Sequence, residues 1–112
     1  MWISMQRATR TCPVGKVAAL VGDPCSLLIV RDLLEGPKRF SELELSLESS
    51  SRTLAKKLKL LEHEKIVTRK AMPIRAGGRG EPACVKYQLT KKGEAFQGVV
   101  EAMRAYGRKY LD

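Results

Sequence analysis

The sequence is poor in the residues that build metal sites and active sites. His63 is the only histidine, and the three cysteines, Cys12, Cys25 and Cys84, form no Cys-x-x-Cys unit. A zinc finger or zinc ribbon needs closely spaced pairs of such ligands, so we expect no metal and no cofactor. The chain also shows no paired carboxylates in a readable motif and no phosphate-binding glycine loop before a helix, which argues against an enzyme.

Long apolar runs are missing as well. No stretch reaches the roughly 18 apolar residues that a membrane span requires, and Met1–Arg7 lacks the hydrophobic core of a signal peptide. Three cysteines cannot all pair with one another, so free thiols in a reducing compartment are expected. We therefore expect a cytoplasmic protein that has no membrane partner.

Acidic residues are scarce relative to basic ones. The 112 residues carry 21 Lys and Arg against 12 Asp and Glu, for a net charge of +9, and nine of the bases lie between Ser51 and Gly80 with only Glu62 and Glu64 among them. Nine minus two places +7 of the +9 in that segment. Charge alone leaves open a basic protein without a polyanionic partner, but its concentration favours a nucleic-acid footprint.

Cap and proline signals predict two helices at the start of the chain. Cys12-Pro13 opens the first helix, which Gly22 ends, and Asp23-Pro24 opens a second helix that Gly36-Pro37 stops. The second helix is apolar nearly all round, so we expect it at the centre of the core.

A helix-turn-helix pair is predicted next. Ser41 and Glu44 fit a capping box for a short third helix ending near Leu47, and Phe40 and Leu45 fit a hydrophobic staple across its start. The serines at 49–51 then supply a turn and a cap for a fourth helix over about 51–64. That helix has a leucine stripe on one side and a basic face on the other. The stripe contains Leu54, Leu58 and Leu61, and the basic face contains Arg52, Lys56, Lys59 and His63.

The C-terminal half predicts a hairpin and a long helix. Ile66–Met72 and a second strand with alternating Val85, Tyr87 and Leu89 flank the glycine-rich loop at 73–82, which reads as a projecting wing. Thr90 caps a last helix over about 91–111. The apolar residues of this helix repeat at intervals of three and four. Packing against the chain's own core stays open, but in a domain this small the seam favours pairing with a second copy; the seam residues are Phe96, Val99, Met103, Tyr106 and Tyr110.

These elements predict an α+β, mainly α, winged helix-turn-helix with N- and C-terminal dimerisation helices. One domain spans 1–112, with four parts in order: an N-terminal arm and helix at 1–22, a helical core with the helix-turn-helix at 23–64, a wing hairpin at 65–90 and a C-terminal dimerisation helix at 91–112.

Nearly the whole chain resembles the HxlR-type winged-helix transcriptional regulators. The resemblance rests on Cys12-Pro13-Val14, on Val21-Gly22-Asp23-Pro24 and most specifically on Gly36-Pro37-Lys38-Arg39-Phe40-Ser41-Glu42-Leu43. It implies a homodimeric DNA-binding regulator whose first and last helices make the dimer contacts. It also implies that Cys12 matches a cysteine that some members use to sense oxidants or electrophiles.

The fourth helix and the wing are the predicted contacts with double-stranded DNA. The basic side chains would displace condensed counterions, and base reading would fall to the N-terminal half of the helix in the major groove. The candidates for base reading are Ser51, Arg52, Thr53 and Lys56. Lys57 and Lys59 are expected on phosphates, and Arg75 and Arg79 are expected in the wing.

Three alternatives stay open at this point. A winged helix can serve as a protein-docking module without sequence-specific DNA binding, although the basic concentration argues against it. RNA binding is disfavoured because aromatic residues make up only 5% of the chain and none lies in the basic helix. Cys12 has two possible roles. It is either a reactive thiolate at a helix N-terminus, with Arg7 and Arg10 nearby in sequence, or a small buried apolar residue.

Overall fold

The computed structural model describes residues 12–72 and 84–112. Six helices and two strands follow one another in these ranges. They are α1 (Pro13–Val21), α2 (Pro24–Leu33), α3 (Phe40–Leu47), α4 (Ser51–His63), β1 (Val67–Met72), β2 (Cys84–Leu89), α5 (Lys91–Glu94) and α6 (Gln97–Tyr110). The mainly helical α+β class and the winged helix-turn-helix order are as the sequence predicts.

The proline and cap signals at the first two helices are confirmed. α1 begins at Pro13 and its last turn closes on Gly22, while the Asp23 carboxylate accepts the Ser26 N–H at 2.9 Å to cap α2. Burial acts to raise the pKa of Asp23, but the hydrogen bonds from Ser26 and the charge of Lys57 outweigh it and lower that pKa. The cap therefore contributes its full stability above the ordinary range of a carboxyl group and loses it as the pH falls through the lowered value.

α2 lies at the centre of the core, as its apolar sequence predicts. Ile29 and Val30 are fully buried. The leucine stripe of α4 packs into the same cluster, and Leu54, Leu58 and Leu61 are at most 1% exposed. Burial of this stripe fixes which side of α4 faces the body and therefore which side faces solvent.

The start of the third helix is two residues earlier than predicted. Arg39 occupies the cap position, and its backbone N–H donates to the Glu42 carboxylate at 2.7 Å, which lowers the pKa of Glu42. Ser41 lies inside the first turn. The sequence pattern singled out Ser41 for its hydroxyl, whereas the observed bond uses a backbone N–H that any residue but proline supplies. The predicted staple is also wrong, because Leu45 is 83% exposed.

The two strands form an antiparallel pair from Val67 opposite Leu89 to Met72 opposite Cys84. β1 begins one residue later than predicted. At the end of the hairpin nearest the body Leu89 is buried, whereas Val85, further out on the same strand, is exposed. The loop that joins the strands, with Arg75 and Arg79, lies outside the described residues.

A single-residue bridge adds a short third strand to the hairpin. Lys38 and Tyr87 exchange two backbone hydrogen bonds of 3.0 and 2.7 Å. The bridge fastens the segment before α3 to the wing. The sequence carries no signal for it, because one paired residue leaves no alternation to detect.

The predicted single C-terminal helix is broken in two. Thr90 caps α5 as expected, by accepting the Gly93 N–H at 3.1 Å, but α5 ends at Glu94 and α6 begins at Gln97. Phe96 lies in the break and is only 8% exposed, so it belongs to the core of its own chain. The three- and four-residue spacing of the apolar side chains continues across the break, because the residues there keep helical backbone angles.

Gly93 is required where α5 meets the start of the hairpin. A Cβ added at this position would lie 2.2 Å from the carbonyl oxygen of Ile66, which is well inside van der Waals contact. The close approach brings the capped turn of α5 onto the segment that follows α4.

Candidate nucleic-acid interface

α3, the turn at Glu48–Ser50 and α4 form the helix-turn-helix. Glu48 adopts a left-handed conformation with φ of 50° that reverses the chain after α3. Ser50 caps α4, because its hydroxyl oxygen accepts the Thr53 N–H at 3.1 Å. The serine run thus starts α4 where the sequence predicts.

The solvent side of α4 carries the predicted basic face. Arg52, Lys56 and Lys59 recur at spacings of four and three and are all exposed. Within residues 12–72 and 84–112, none of the three makes an ion pair with a carboxylate. Their charge is therefore available to a polyanion.

Three other predicted contacts on α4 have partners within the protein. The Lys57 ammonium lies 3.7 Å from the Asp23 carboxylate, and only 28% of its side chain is exposed. The Ser51 hydroxyl donates to the Glu44 carboxylate, and Thr53 Oγ1 accepts the Ser50 hydroxyl at 3.0 Å. The Lys57 and Ser51 contacts fasten α4 to other elements, whereas the Thr53 contact stays within the first turn of α4; the sequence did not reveal these roles.

The C-terminal end of α4 is held by hydrogen bonds from the cap and first turn of α5. The Thr90 hydroxyl donates to the Lys65 carbonyl at 2.6 Å, and the Lys92 ammonium donates to the Glu64 carbonyl at 2.9 Å. Arg69 on β1 forms a 2.9 Å ion pair with Glu62. α4 is thus attached to the body at both ends, which gives its basic face a fixed orientation.

The hairpin adds a cationic pair that sequence reading missed. The register places Lys70 directly opposite Lys86. Like charges at this spacing repel each other, and an anion between or beside them would relieve the repulsion. Only the strand register shows the pairing, because the loop between the two residues hides their relationship in the sequence.

A second surface combines α1 with α6. An open apolar groove of about 550 Å³ runs between the two helices, lined on the α1 side by Val14 and Val17 and on the α6 side by Val99 and Met103. Further along α6, Tyr106 and Tyr110 are each 60% exposed and their rings lie 4.8 Å apart. Four of the five predicted seam residues are therefore exposed; the fifth, Phe96, is buried in its own chain.

Cys12 directly precedes Pro13, which lines this groove, and is exposed in the single chain. The fold of one copy therefore does not bury it. Cys25 is half-buried against the core, and its Sγ lies 3.8 Å from the Ser49 hydroxyl in the turn of the helix-turn-helix. Of the two thiols, Cys12 is the more accessible to a reagent in solution.

The family model described as "HxlR-like helix-turn-helix" matches residues 20–112. The chain belongs to this family. It is 36% identical over 103 residues to the HTH-type transcriptional regulator YodB of Bacillus subtilis (strain 168), with 90% of this chain and 87% of YodB covered.

Two solved structures of YodB are similar to this chain as well. The reduced form has a TM-score of 0.72 at 36% identity and covers 91% of this chain and 96% of that one. The quinone-bound form has a TM-score of 0.71 at 33% identity and covers 89% and 100%. Membership in the HxlR-like family makes this chain a DNA-binding protein of transcription regulation, and the relatives are regulators rather than enzymes.

The described residues contain neither a metal-binding cluster nor a single helix able to cross a membrane. No group of three or more His, Cys, Asp or Glu side chains in 12–72 and 84–112 is placed to hold a metal ion. No single helix in these ranges has the length and apolar character to cross a membrane; α1 and α2 reach that threshold only together, across an 85° bend.

Proposed function

We propose that this HxlR-like chain is a sequence-specific repressor that binds a promoter operator as a homodimer. The observation that carries the proposal is the exposed basic face of α4, which makes no ion pair with any carboxylate of residues 12–72 and 84–112, on a helix attached at both ends. A bound dimer would exclude polymerase from the promoter.

Affinity and sequence choice would come from different side chains of α4. Lys59 lies near the middle of the basic face, where its charge would release counterions from any duplex. Arg52 lies in the first turn, where its guanidinium can bond the O6 and N7 edge of a guanine in the major groove. Lys56, one turn further on, is the second candidate for base contact.

The dimer would form through the surface made by α1 and α6. Exposed Met103, Tyr106 and Tyr110 would be removed from water by a second copy, which is the main driving force for association of such a face. A two-fold dimer presents two copies of α4, so the operator should be palindromic with half-sites about one helical turn apart.

Selection of bound duplexes from a random pool tests the proposal directly. We expect one palindromic motif, and binding to it that weakens steeply as salt is raised. A pool that yields no motif, with binding to every duplex equally weak, would contradict sequence-specific recognition and favour the protein-docking alternative.

Two variants distinguish base reading by Arg52 from phosphate contact by Lys59. Arg52→Ala should weaken binding to the selected duplex by about 10-fold and binding to random duplex little, since a bidentate base contact is worth about 1–3 kcal/mol of discrimination. Lys59→Ala should weaken both alike and reduce the salt slope by about 1. Lys59 is a cleaner control than Lys57, whose ammonium lies beside Asp23. Equal losses on both duplexes for both variants would refute the assignment.

We also propose that Cys12 makes the regulator responsive to electrophiles. Its thiol is exposed and directly precedes the N-terminus of α1, so an electrophile in solution can reach the sulfur. With a quinone, the Cys12 sulfur would bond to an electron-poor ring carbon. The thiol proton would pass to one quinone oxygen, and the hydrogen of the attacked carbon would shift as a proton to the other oxygen, which gives the hydroquinone adduct. An adduct beside the groove between α1 and α6 would alter the dimer contact.

Treatment with a simple benzoquinone provides the measurement. We expect mass spectrometry to find the adduct on Cys12 and the affinity for the selected duplex to fall by about 10-fold, or 1.4 kcal/mol. Cys12→Ser should abolish the response, and Cys25→Ser should retain it. Unchanged affinity after full modification of Cys12 would remove the sensor role and leave DNA binding intact.

A further inference from the structure

A side-chain hydrogen bond joins the two helices of the helix-turn-helix. The hydroxyl of Ser51, the first residue of α4, donates to the carboxylate of Glu44 on α3. We infer that Glu44 is a positioning residue, which holds the base-reading first turn of α4 at a fixed place relative to α3. The inference rests on the proposed function of α4 and assigns part of its sequence discrimination to a residue outside it.

The core cannot position this first turn by itself. Ser51, Arg52 and Thr53 are all exposed, and the first buried side chain of α4 is Leu54. The cap at Ser50 bonds only to Thr53, within the same turn. It shapes the helix end but does not attach it to another element. The Ser51–Glu44 bond does attach it, one residue before Arg52.

The bond also changes the role of Ser51. A hydroxyl has one proton to donate, and that of Ser51 is engaged by Glu44. Ser51 therefore serves as the anchor of the turn rather than as a donor to a base. Arg52, Thr53 and Lys56 remain as the base-reading candidates of this half of α4, since the Thr53 hydroxyl only accepts from Ser50 and keeps its own proton.

Glu44 has a second effect of opposite sign, because a carboxylate near the interface repels phosphate. Its charge and its acceptor role can be separated. Glu44→Gln keeps a carbonyl oxygen for the Ser51 hydroxyl and removes the charge, while Glu44→Ala removes both. Glu48→Ala is the matched control, since it removes an acidic charge one turn further along the chain and leaves the bond intact.

The test measures the ratio of affinities for the selected and random duplexes. Glu44→Ala and Ser51→Ala should each lower this ratio by about 5–10-fold, and the double variant should lower it no further, because both remove one interaction. Glu44→Gln and Glu48→Ala should keep the ratio within about twofold. Thermal unfolding of each variant confirms that folding is retained.

Three results would overturn the inference. The losses of the two single variants could add in the double variant. Glu44→Gln could lower the ratio as much as Glu44→Ala. Glu44→Ala could tighten binding to both duplexes alike, which would leave charge repulsion as its only effect. These results can be told apart from failure of the proposed function, because in that case the wild-type protein itself would select no duplex.

Discussion

Leu58→Ala should lower the free energy of unfolding by about 2–5 kcal/mol. Leu58 is 1% exposed in the middle of the stripe that joins α4 to the core, so truncation leaves a cavity that the neighbouring helices cannot close. Against the roughly 5–15 kcal/mol that keeps a domain folded, this is a large loss. The thermal midpoint should fall by about 10–20 °C, as calorimetry or circular dichroism can measure.

Leu60 provides the matched control on the same helix. It is 41% exposed, so Leu60→Ala removes the same atoms from a position where water already reaches them. We expect a loss below about 1 kcal/mol. Similar losses of unfolding free energy for the two variants would mean that burial of the leucine stripe does not hold α4 against the core. Burial would then not explain why the basic face points to solvent.

Met103→Glu should convert the proposed dimer to a monomer and weaken binding to the proposed palindromic duplex by about 100-fold or more. Met103 is 49% exposed, lines the groove against α1 and stands between Val99 and Tyr106 on the apolar stripe of α6. A carboxylate there would be buried without a partner in the dimer. Loss of the dimer removes the second half-site contact, which is why the effect on DNA exceeds that of any single contact.

Sedimentation and duplex titration would measure the two consequences together. Ala105→Glu is the control, because it adds the same charge to the same helix at an exposed position away from the stripe. It should leave both the dimer and the DNA affinity intact. A Met103→Glu protein that stays dimeric and binds normally would contradict the role of α6 in association.

Local chemistry made the helix starts largely predictable. Asp23-Pro24 and the serine run before α4 act within one turn, through a fixed φ and a short side-chain acceptor, so the sequence contains the whole interaction. The third helix shows the limit of this reasoning. The pattern selected Ser41 for its hydroxyl, whereas the fold places the cap at Arg39, whose backbone N–H bonds to the Glu42 carboxylate.

The C-terminal segment shows a different limit. Its apolar residues keep helical spacing from Phe96 to Tyr110, and that spacing cannot tell a residue buried in its own chain from one offered to a partner. Phe96 lies at the break before α6 and is buried in the core of its own chain. Met103, Tyr106 and Tyr110, further along α6, are exposed. Gly93, just before the break, lies close to Ile66, which is 27 residues earlier in the chain by their numbers, and no local pattern signals that contact.

By itself the sequence determined the order of helices and strands, the leucine stripe of α4 and the cations opposite it, because periodicity and caps act over a few residues. Only the tertiary structure decided which of the polar side chains on α4 are free. Lys57 lies beside Asp23 and Ser51 bonds to Glu44, while Arg52 and Lys59 remain exposed. Those partners belong to other helices, and packing of the helices against a shared core is what brings them together.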